Sequence, residues 1–287
     1  MFTQKQLYLY NRQNIQSPMD VDSMILAHER RWIEARLKSA DSNLAENDLA
    51  SWRHRFHELM EREAASTPDS ARYVSDVMTR DEFRALVQAF AVDGLTEAQV
   101  FYYIMPRLTL EAQLPMLRIL IDEFGAGNLK RAHTTLYKNL LTELQMPTEL
   151  DYYVDRTTSS SFEFVNLFNW LTLRADDPSY FVGALTYLET SIPTFFQCYV
   201  DACDRLSINA HDYYSEHRHI DTFHAQEGLR VLKAMEKTGT LNARKAWHGV
   251  LLASTITASA FDAAVEMASL GHHQSESFTQ ESAHGFA

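Results

Sequence analysis

The sequence predicts an all-α protein, and three observations support this prediction. The chain holds only 9 glycines and 7 prolines in 287 residues, so few positions interrupt a helix. Apolar residues recur at the helical spacings of three and four through most of the chain. Alternating runs of valine, isoleucine and threonine, which would predict strands, are nearly absent. The elements are therefore predicted as helices joined by loops.

Five helices are predicted in the first half of the chain, over residues 20–39, 43–63, 81–93, 97–107 and 109–124. A polar leader precedes them. Gly94 ends the third helix, since glycine is common just past a helix end, and Thr96 caps the fourth. The fifth helix stops at the pair of glycines, Gly125 and Gly127.

Five more helices are predicted in the second half, over residues 128–145, 162–174, 178–206, 210–237 and 241–270. Asn128 is the predicted cap of the first, and Pro178 suits the first turn of the third. Residues 147–160 are predicted as the main loop. Residues 272–287 are rich in Gly, His, Ser and Gln, which predicts a disordered tail.

The chain is predicted to form one helical bundle with an added N-terminal segment. No repeat at a fixed period and no low-complexity segment divides it. An apolar fraction of 46% and a charged fraction of 22% are ordinary for a globular protein with one large core. We predict the bundle over residues 81–271, a helical extension over residues 1–80 packed on it, and the tail.

Charge and cysteine content exclude several partners and locations. Lysine and arginine total 26 against 38 acidic residues, and the formal charge of −12 repels nucleic-acid phosphates and anionic lipids. Cys198 and Cys203 give no disulfide framework, which favours a reduced setting. No stretch approaches the roughly 20 apolar residues of a membrane-spanning helix. We expect a cytoplasmic protein without nucleic-acid or membrane partners.

The clearest functional signal is a stripe of His217, Asp221 and His224 in the predicted helix 210–237. Spacings of four and three place these side chains within roughly 60° of one helix face. Two imidazoles and a carboxylate on one stripe suit a borderline divalent metal such as iron, manganese or zinc. A solvated polar face would give the same pattern, since Glu216 and His219 lie nearby. The stripe predicts a metal site.

Glu189 is a second candidate ligand. It ends the apolar run from Phe181 to Leu188, where a lone carboxylate would be costly to bury without a cation. Pro193, four residues later, leaves the Glu189 carbonyl without its helical donor, so a bend is expected there. A buried acid paired with an arginine would also account for Glu189.

Glu123 and His133 flank the predicted turn at Gly125 and Gly127, which could fold them toward each other. Glu123 is the less secure of the two, because Glu111 and Glu97 are neighbouring acids. Glu111 is the runner-up to Glu123, since a proline four residues after it could kink the helix and aim it inward.

The order of these residues resembles the haem-oxygenase-like diiron oxidases and oxygenases, also described as iron-containing redox enzymes. Their pattern is Glu, His, Glu and then His-x-x-x-Asp-x-x-His on a late core helix. The matching residues here are Glu123, His133, Glu189, His217, Asp221 and His224. The resemblance covers roughly residues 81–270 and implies a haem-oxygenase-like seven-helix bundle, to which residues 1–80 are an extension.

This resemblance implies two iron ions, held by the six residues, with dioxygen as co-substrate. It further implies oxidation of a small molecule by hydrogen abstraction, desaturation, N-oxygenation or C–C cleavage, in a natural-product pathway. An amino-acid-like substrate is favoured because no amphipathic lipid-docking helix is evident. A homodimer is the usual state of such bundles, and an external reductant could be needed.

Four further functions compete with this one. A fatty-acid oxidative decarboxylase belongs to the same family. Haem binding would need an early proximal histidine, for which His28 is the candidate, and would leave the carboxylates unexplained. A non-catalytic metal-binding helical protein would use the stripe structurally. A thiaminase-like enzyme would need a nucleophilic cysteine, but Cys198 and Cys203 lie in an apolar helix.

Overall fold

The chain folds into helices, as predicted, and no strand occurs among the residues that the structure describes. The structure is a computed structural model that describes residues 2–16, 22–38 and 44–283, with side chains described except at residue 100 and from residue 271 onward. The helices are α1 (Gln4–Gln16), α2 (Ser23–Lys38), α3 (Leu49–Ala64), α4 (Asp69–Asp76), α5 (Arg80–Gly94), α6 (Leu110–Glu123), α7 (His133–Glu143), α8 (Leu150–Val154), α9 (Ser159–Leu173), α10 (Ser179–Phe195), α11 (Gln197–Arg205), α12 (Asp212–Lys237) and α13 (Ala243–Ala283). Three 3-10 segments cover Glu97–Phe101, Met105–Arg107 and Gly125–Gly127.

The core is built around α10, which packs between α12 and α13. Every residue of α10 from Ser179 to Glu189 is buried. Two glycines let α10 and α13 touch through their backbones: a Cβ on Gly183 would lie 1.9 Å from the carbonyl oxygen of Ala246, and a Cβ on Gly249 1.9 Å from that of Tyr180. Any larger residue at either position would force the two helices apart. On the far side of α12 lies α6.

The N-terminal helices pack on this core: α1 on α9, α3 on α13 and α4 on α11. Buried polar contacts tie them to α9. The amide of Asn166 donates to the carbonyl oxygen of Gln4 at 2.8 Å, and Arg174 forms an ion pair with the buried Glu29. A division into an extension over residues 1–80 and a bundle over residues 81–271 stays a prediction.

Several predicted boundaries were wrong, and each has a local cause. The predicted helix 97–107 forms two short 3-10 segments with Pro106 inside the second. The predicted loop 147–160 contains the short helix α8, and the polar leader contains α1. The predicted helix 178–206 is divided at Phe196 into α10 and α11, just after Pro193. Proline removes a helical donor, which accounts for this break.

Asn128 does not cap α7, which begins only at His133. Its side chain instead accepts a hydrogen bond from the backbone N–H of Lys130 at 3.1 Å, which forms a turn. At the other end of the chain, the helical backbone of α13 continues to Ala283, beyond the predicted end at Leu270. Side chains from 271 and all of residues 284–287 lie outside the described part, so the disordered tail over 272–287 stays a prediction.

One helix among the described residues, α13 over Ala243–Leu270, is long and apolar enough to cross a membrane. It packs against α10, α9 and α5, and its buried residues include Trp247, Val250 and Phe261. A central helix of a bundle has the same composition, so its apolar character follows from its place in the core.

Candidate metal centre

The structure brings all six predicted ligands together in one buried site. Glu123 lies at the end of α6, His133 is the first residue of α7, Glu189 lies in α10, and His217, Asp221 and His224 form a stripe on α12. Each of the six residues is at most 6% exposed, which rules out the solvated face considered for the stripe. The six come from α12 and from the three helices α6, α7 and α10 that pack on it.

The first group of converging ligand atoms belongs to Glu97, Glu123, His133 and His217, and these atoms all lie within 4.8 Å of one another. Nδ1 of His133 is 2.8 Å from Oε2 of Glu123 and 3.7 Å from Oε1 of Glu97. Nε2 of His217 is 3.9 Å from Oε2 of Glu97. Two imidazoles and two carboxylates therefore surround one point.

The second group belongs to Glu123, Glu189 and His224, again within 4.8 Å of one another. Nδ1 of His224 is 3.2 Å from Oε2 of Glu189 and 3.9 Å from Oε1 of Glu123. Asp221 joins this group, because its Oδ1 is 3.2 Å from the same histidine nitrogen. One imidazole and three carboxylates surround the second point.

Glu123 is common to both groups. Its Oε2 faces His133 in the first group and its Oε1 faces His224 in the second. A carboxylate that presents one oxygen to each of two positions has the arrangement of a bridging ligand, as carboxylates in helical dimetal sites do. The site thus has the form of two adjacent metal positions.

Two histidines are aimed by contacts outside the groups. Nδ1–H of His217 donates to the backbone carbonyl of Tyr213 at 2.7 Å, which leaves Nε2 unprotonated and facing the first group. Nε2 of His224 is 3.4 Å from Oδ2 of Asp122, which leaves Nδ1 facing the second group. A carbonyl or carboxylate partner on the second nitrogen is typical of metal-ligating histidines.

The turn after α6 places Glu123 against His133. Gly125, Ala126 and Gly127 all have positive φ, at 61°, 53° and 83°, a region that glycine enters without a steric cost. A Cβ on Gly125 would lie 2.5 Å from the backbone carbon of Arg131, whereas one on Gly127 would meet nothing within 4 Å. Glycine at 125 is therefore needed for the close turn that leads to His133.

The electrostatics of the site indicate an excess of negative charge. Burial and the neighbouring Glu189 raise the pKa of Asp221 well above 3.8, and burial and Glu123 raise the pKa of Glu97 well above 4.5. Burial opposes charge on His224, but the carboxylates of Asp221 and Glu189, each 3.2 Å from its Nδ1, raise its pKa to about 11. Burial and the nearby His133 lower the pKa of His217 to about 3. The carboxylates thus lack sufficient positive charge from the protein itself.

Unsatisfied polar atoms mark the same place. Within the described residues, no hydrogen-bond partner exists for either carboxylate oxygen of Asp221, for Oε1 of Glu97 or for Nδ1 of His133. The contact of His133 with Glu123 is close but not aligned as a hydrogen bond. Buried groups of this kind cost about 1–3 kcal/mol each when unpaired. Metal cations would satisfy all four atoms, and a set of imidazoles and carboxylates suits iron or manganese.

Glu97 is a candidate ligand that the sequence prediction did not include among the six. It was named only as an acid neighbouring Glu123, and it joins the first group in addition to Glu123 rather than in its place. The hydroxyl of Tyr213 donates to its Oε2 at 2.6 Å. The sequence feature that could have indicated Glu97 is Asp93, one turn earlier, because two acids four residues apart in a mostly apolar stretch can share one buried face. Asp93 lines the cavity at the site, and burial and Glu123 raise its pKa to about 7.

The remaining candidate residues lie elsewhere. Glu111, the runner-up to Glu123, is exposed and belongs to neither group. Burial raises the pKa of both Cys198 and Cys203 to about 12, which does not suit a nucleophile. His28 is half-buried in α2 and is not part of the cavity wall described below.

A cavity of about 790 Å³ opens onto the site, and Glu97, Glu123, Glu189, His217 and Asp221 form part of its wall. The wall near these residues is aromatic and includes Phe90, Phe101, Phe164, Phe168, Tyr137 and Phe196. The N-terminal helices also contribute to the wall, through Met60, Arg62 and Glu63 of α3. A mostly apolar cavity wall on which a set of charged groups converges is typical of a small-molecule site.

Comparison with known proteins agrees with this geometry. A family described as iron-containing redox enzyme matches residues 84–257. The chain is also 30% identical over 150 residues to a nitrosourea synthase from Streptomyces achromogenes subsp. streptozoticus, an alignment that covers 49% of this chain and 30% of the relative. The chain therefore corresponds to less than a third of that relative's length. All seven residues of the two groups lie inside the range that the family matches, residues 84–257. The match confirms the prediction of a haem-oxygenase-like all-α fold. The chain belongs to the family of iron-containing redox enzymes.

Proposed function

We propose that this protein is a non-haem diiron oxidase or oxygenase that uses dioxygen to oxidise a small amino-acid-like substrate. The observation that carries the proposal is Glu123, which presents one oxygen to each of two ligand groups. Two irons held there would supply the redox chemistry that activates dioxygen. Hydrogen abstraction, desaturation, N-oxygenation and C–C cleavage all remain within the proposal, as does a natural-product pathway.

The cavity supports an amino-acid-like substrate over a fatty acid. Arg62 and Glu63, adjacent in α3, bring opposite charges to its wall. Glu63 accepts hydrogen bonds at 3.0 Å from the hydroxyls of Tyr187 and Ser254, and it makes no ion pair within the described residues. A zwitterion can match both charges, whereas a fatty acid would leave Glu63 beside an alkyl chain. Fatty-acid decarboxylation is therefore the second candidate.

Haem binding and a purely structural metal site receive less support from the geometry. Haem binding would leave the buried carboxylates without cations. A non-catalytic metal protein would not need a cavity of about 790 Å³ that reaches the ligands. An external reductant and a cytoplasmic location are part of the proposal.

The test begins with iron content. The purified chain, loaded anaerobically with Fe(II) and desalted, is expected to retain two irons, and the Glu123→Ala variant is expected to lose both positions because Glu123 serves each. Glu111→Ala is the matched control, since it removes an exposed acid from the same helix and should leave two irons bound. A single iron in the wild-type chain, or two in Glu123→Ala, would contradict the proposal.

The substrate class is tested by oxygen consumption of the iron-loaded protein. Amino acids and fatty acids are supplied separately, and the proposal expects faster consumption with members of the first set. The Glu63→Gln variant keeps one acceptor oxygen, offers an N–H to the other hydroxyl and removes the charge, so KM for an amino-acid substrate should rise about tenfold. Glu61→Gln, a surface acid of the same helix paired with His57, is the control.

A further inference from the structure

The outer face of α6 carries a continuous row of exposed apolar side chains. Leu110, Leu114, Leu117 and Ile121 are 68%, 56%, 39% and 46% exposed, and Phe124, just past the helix end, is 40% exposed. Most surface-exposed apolar residues of a soluble protein are scattered singly, whereas a contiguous row marks an interaction surface. This outer row is defined by these five residues.

The opposite face of α6 is already buried in the core. It consists of Ala112, Met116, Ile119 and the ligand Glu123, packed toward α12. A helix that is apolar on both faces is normally covered on both. Within the part of the chain that the structure describes, nothing covers the outer row.

The spacing of the outer row identifies the kind of partner. Successive members are separated by four, three, four and three residues, which is the period of a seam between two packed helices. A surface of this kind fits another helix with the same period. We propose that the outer row is the interface between two copies of this chain, in which the two α6 helices pack antiparallel across a two-fold axis.

The charges beside the outer row match this arrangement. In an antiparallel pair centred between Leu114 and Leu117, Leu114 of one copy meets Leu117 of the other, and Leu110 of one copy meets Ile121 of the other. The same register sets Glu111 beside Arg118 of the second copy, twice by symmetry. Glu111 is exposed and makes no ion pair within the described residues, and the Arg118 side chain is 61% exposed although it also contacts Glu227. A parallel pair would not bring Glu111 and Arg118 of the two copies together.

A neighbouring aromatic residue widens the surface. Tyr102 is 46% exposed and stacks on Phe124 with ring centroids 6.2 Å apart. A stable interface buries roughly 1,200 Å² or more in total, so residues beyond a single helix seam are required. Tyr102 adds apolar area at the end of α6.

The experiment is the oligomeric state of the full chain, measured by sedimentation velocity over a dilution series. Wild type is expected to be a dimer at micromolar concentration, and Leu114→Asp and Leu117→Asp are each expected to weaken association about 30-fold or more, as for central interface residues. Met24→Asp is the control, because Met24 is an exposed apolar residue, at 68%, that lies in α2 and not in the outer row. Circular dichroism of each variant establishes that it is folded.

A charge exchange tests the register. Glu111→Arg and Arg118→Glu should each weaken the dimer, and the double variant should recover most of the loss. A wild-type monomer at about 100 μM would overturn the proposal. A dimer that the α6 substitutions leave unchanged would also overturn it, because the interface would then lie elsewhere. The proposal would likewise fail if residues 271–287 cover the row, in which case the chain would be a monomer that becomes a dimer when these residues are removed. Association through α6 does not depend on the proposed function.

Discussion

The two ligand groups that share Glu123 differ in how the protein supports them. In the first, Tyr213 serves two ligands at once, with its carbonyl accepting from His217 at 2.7 Å and its hydroxyl donating to Glu97 at 2.6 Å. Among the described residues, Oε1 of Glu97 and Nδ1 of His133 still lack a hydrogen bond there. In the second group, neither oxygen of Asp221 makes a hydrogen bond within the described residues, and Oδ1 contacts His224 at 3.2 Å. His224 is backed only by Asp122, at 3.4 Å.

The difference suggests a division of roles. Ligands fixed by hydrogen bonds outside the metal site are preorganised and hold a metal with little rearrangement. A buried carboxylate with no such partner is free to change its position, but it destabilises the chain until a cation arrives. We infer that the first position is rigid and that Asp221 gives the second position its adaptability.

The largest expected effect comes from removing one histidine of each group. His217→Ala should abolish the first position and His224→Ala the second, so each variant should bind one iron in place of two. Metal analysis after anaerobic loading measures this. If either substitution removed both irons, the two positions would form a single cooperative unit and the comparison would fail.

A smaller effect is expected from Asp221→Asn in the metal-free protein, where the substitution should be stabilising. Burial and Glu189 raise the pKa of Asp221 in the folded chain, so the folded state binds this proton more tightly than the unfolded state. Ionisation therefore costs stability, and the cost grows as pH rises above the ordinary value of the carboxyl. Asn removes the charge and can donate to Glu189.

The expected gain is larger at about pH 8 than at about pH 5, because ionising a carboxyl whose pKa is raised in the folded state costs more stability as the pH rises. Urea denaturation of the metal-free variant and wild type at the two pH values measures it. Glu216→Gln, in the same helix but paired with Arg131 at the surface at 2.7 Å, should give no gain. A loss of stability in metal-free Asp221→Asn would mean that Asp221 is already satisfied.

The smallest effect concerns the support of the first position. Tyr213→Phe removes the hydroxyl that donates to Glu97 but keeps the carbonyl that accepts from His217. Loss of one such outer contact costs about tenfold in metal affinity, and here it should fall on the first position alone. Competition with a chromophoric chelator measures it. Tyr214→Phe removes an adjacent buried hydroxyl that does not contact Glu97, and equal effects from both variants would contradict the assignment.

Local patterns in the sequence were sufficient for much of this site. The stripe of His217, Asp221 and His224 depends only on the period of one helix, and Glu189 was found as a carboxylate within an apolar run. Glu97 could not be found in this way, because it lies in a 3-10 segment that was predicted as regular helix. Its place beside Glu123 depends on how that segment packs against α6 and α7, which is a long-range outcome.

The fold shows the same limit. The all-α class followed from period and composition, but the start of α7 at His133 depends on a turn with three consecutive positive φ angles, including that of Ala126. Propensity predicts glycine there, not alanine. Likewise, the sequence shows that α6 is apolar on two sides, but which side faces α12 is decided only by packing.

The short connection between α6 and α7 also limits how this chain can vary in length. Glu123 and His133 end 2.8 Å apart, and the close approach of Gly125 to Arg131 fills the space between them. Adding or deleting one residue there would rotate or displace one ligand relative to the other. Related chains with intact iron chemistry should therefore keep the same number of residues between these two, a limit that does not apply to connections remote from the metals.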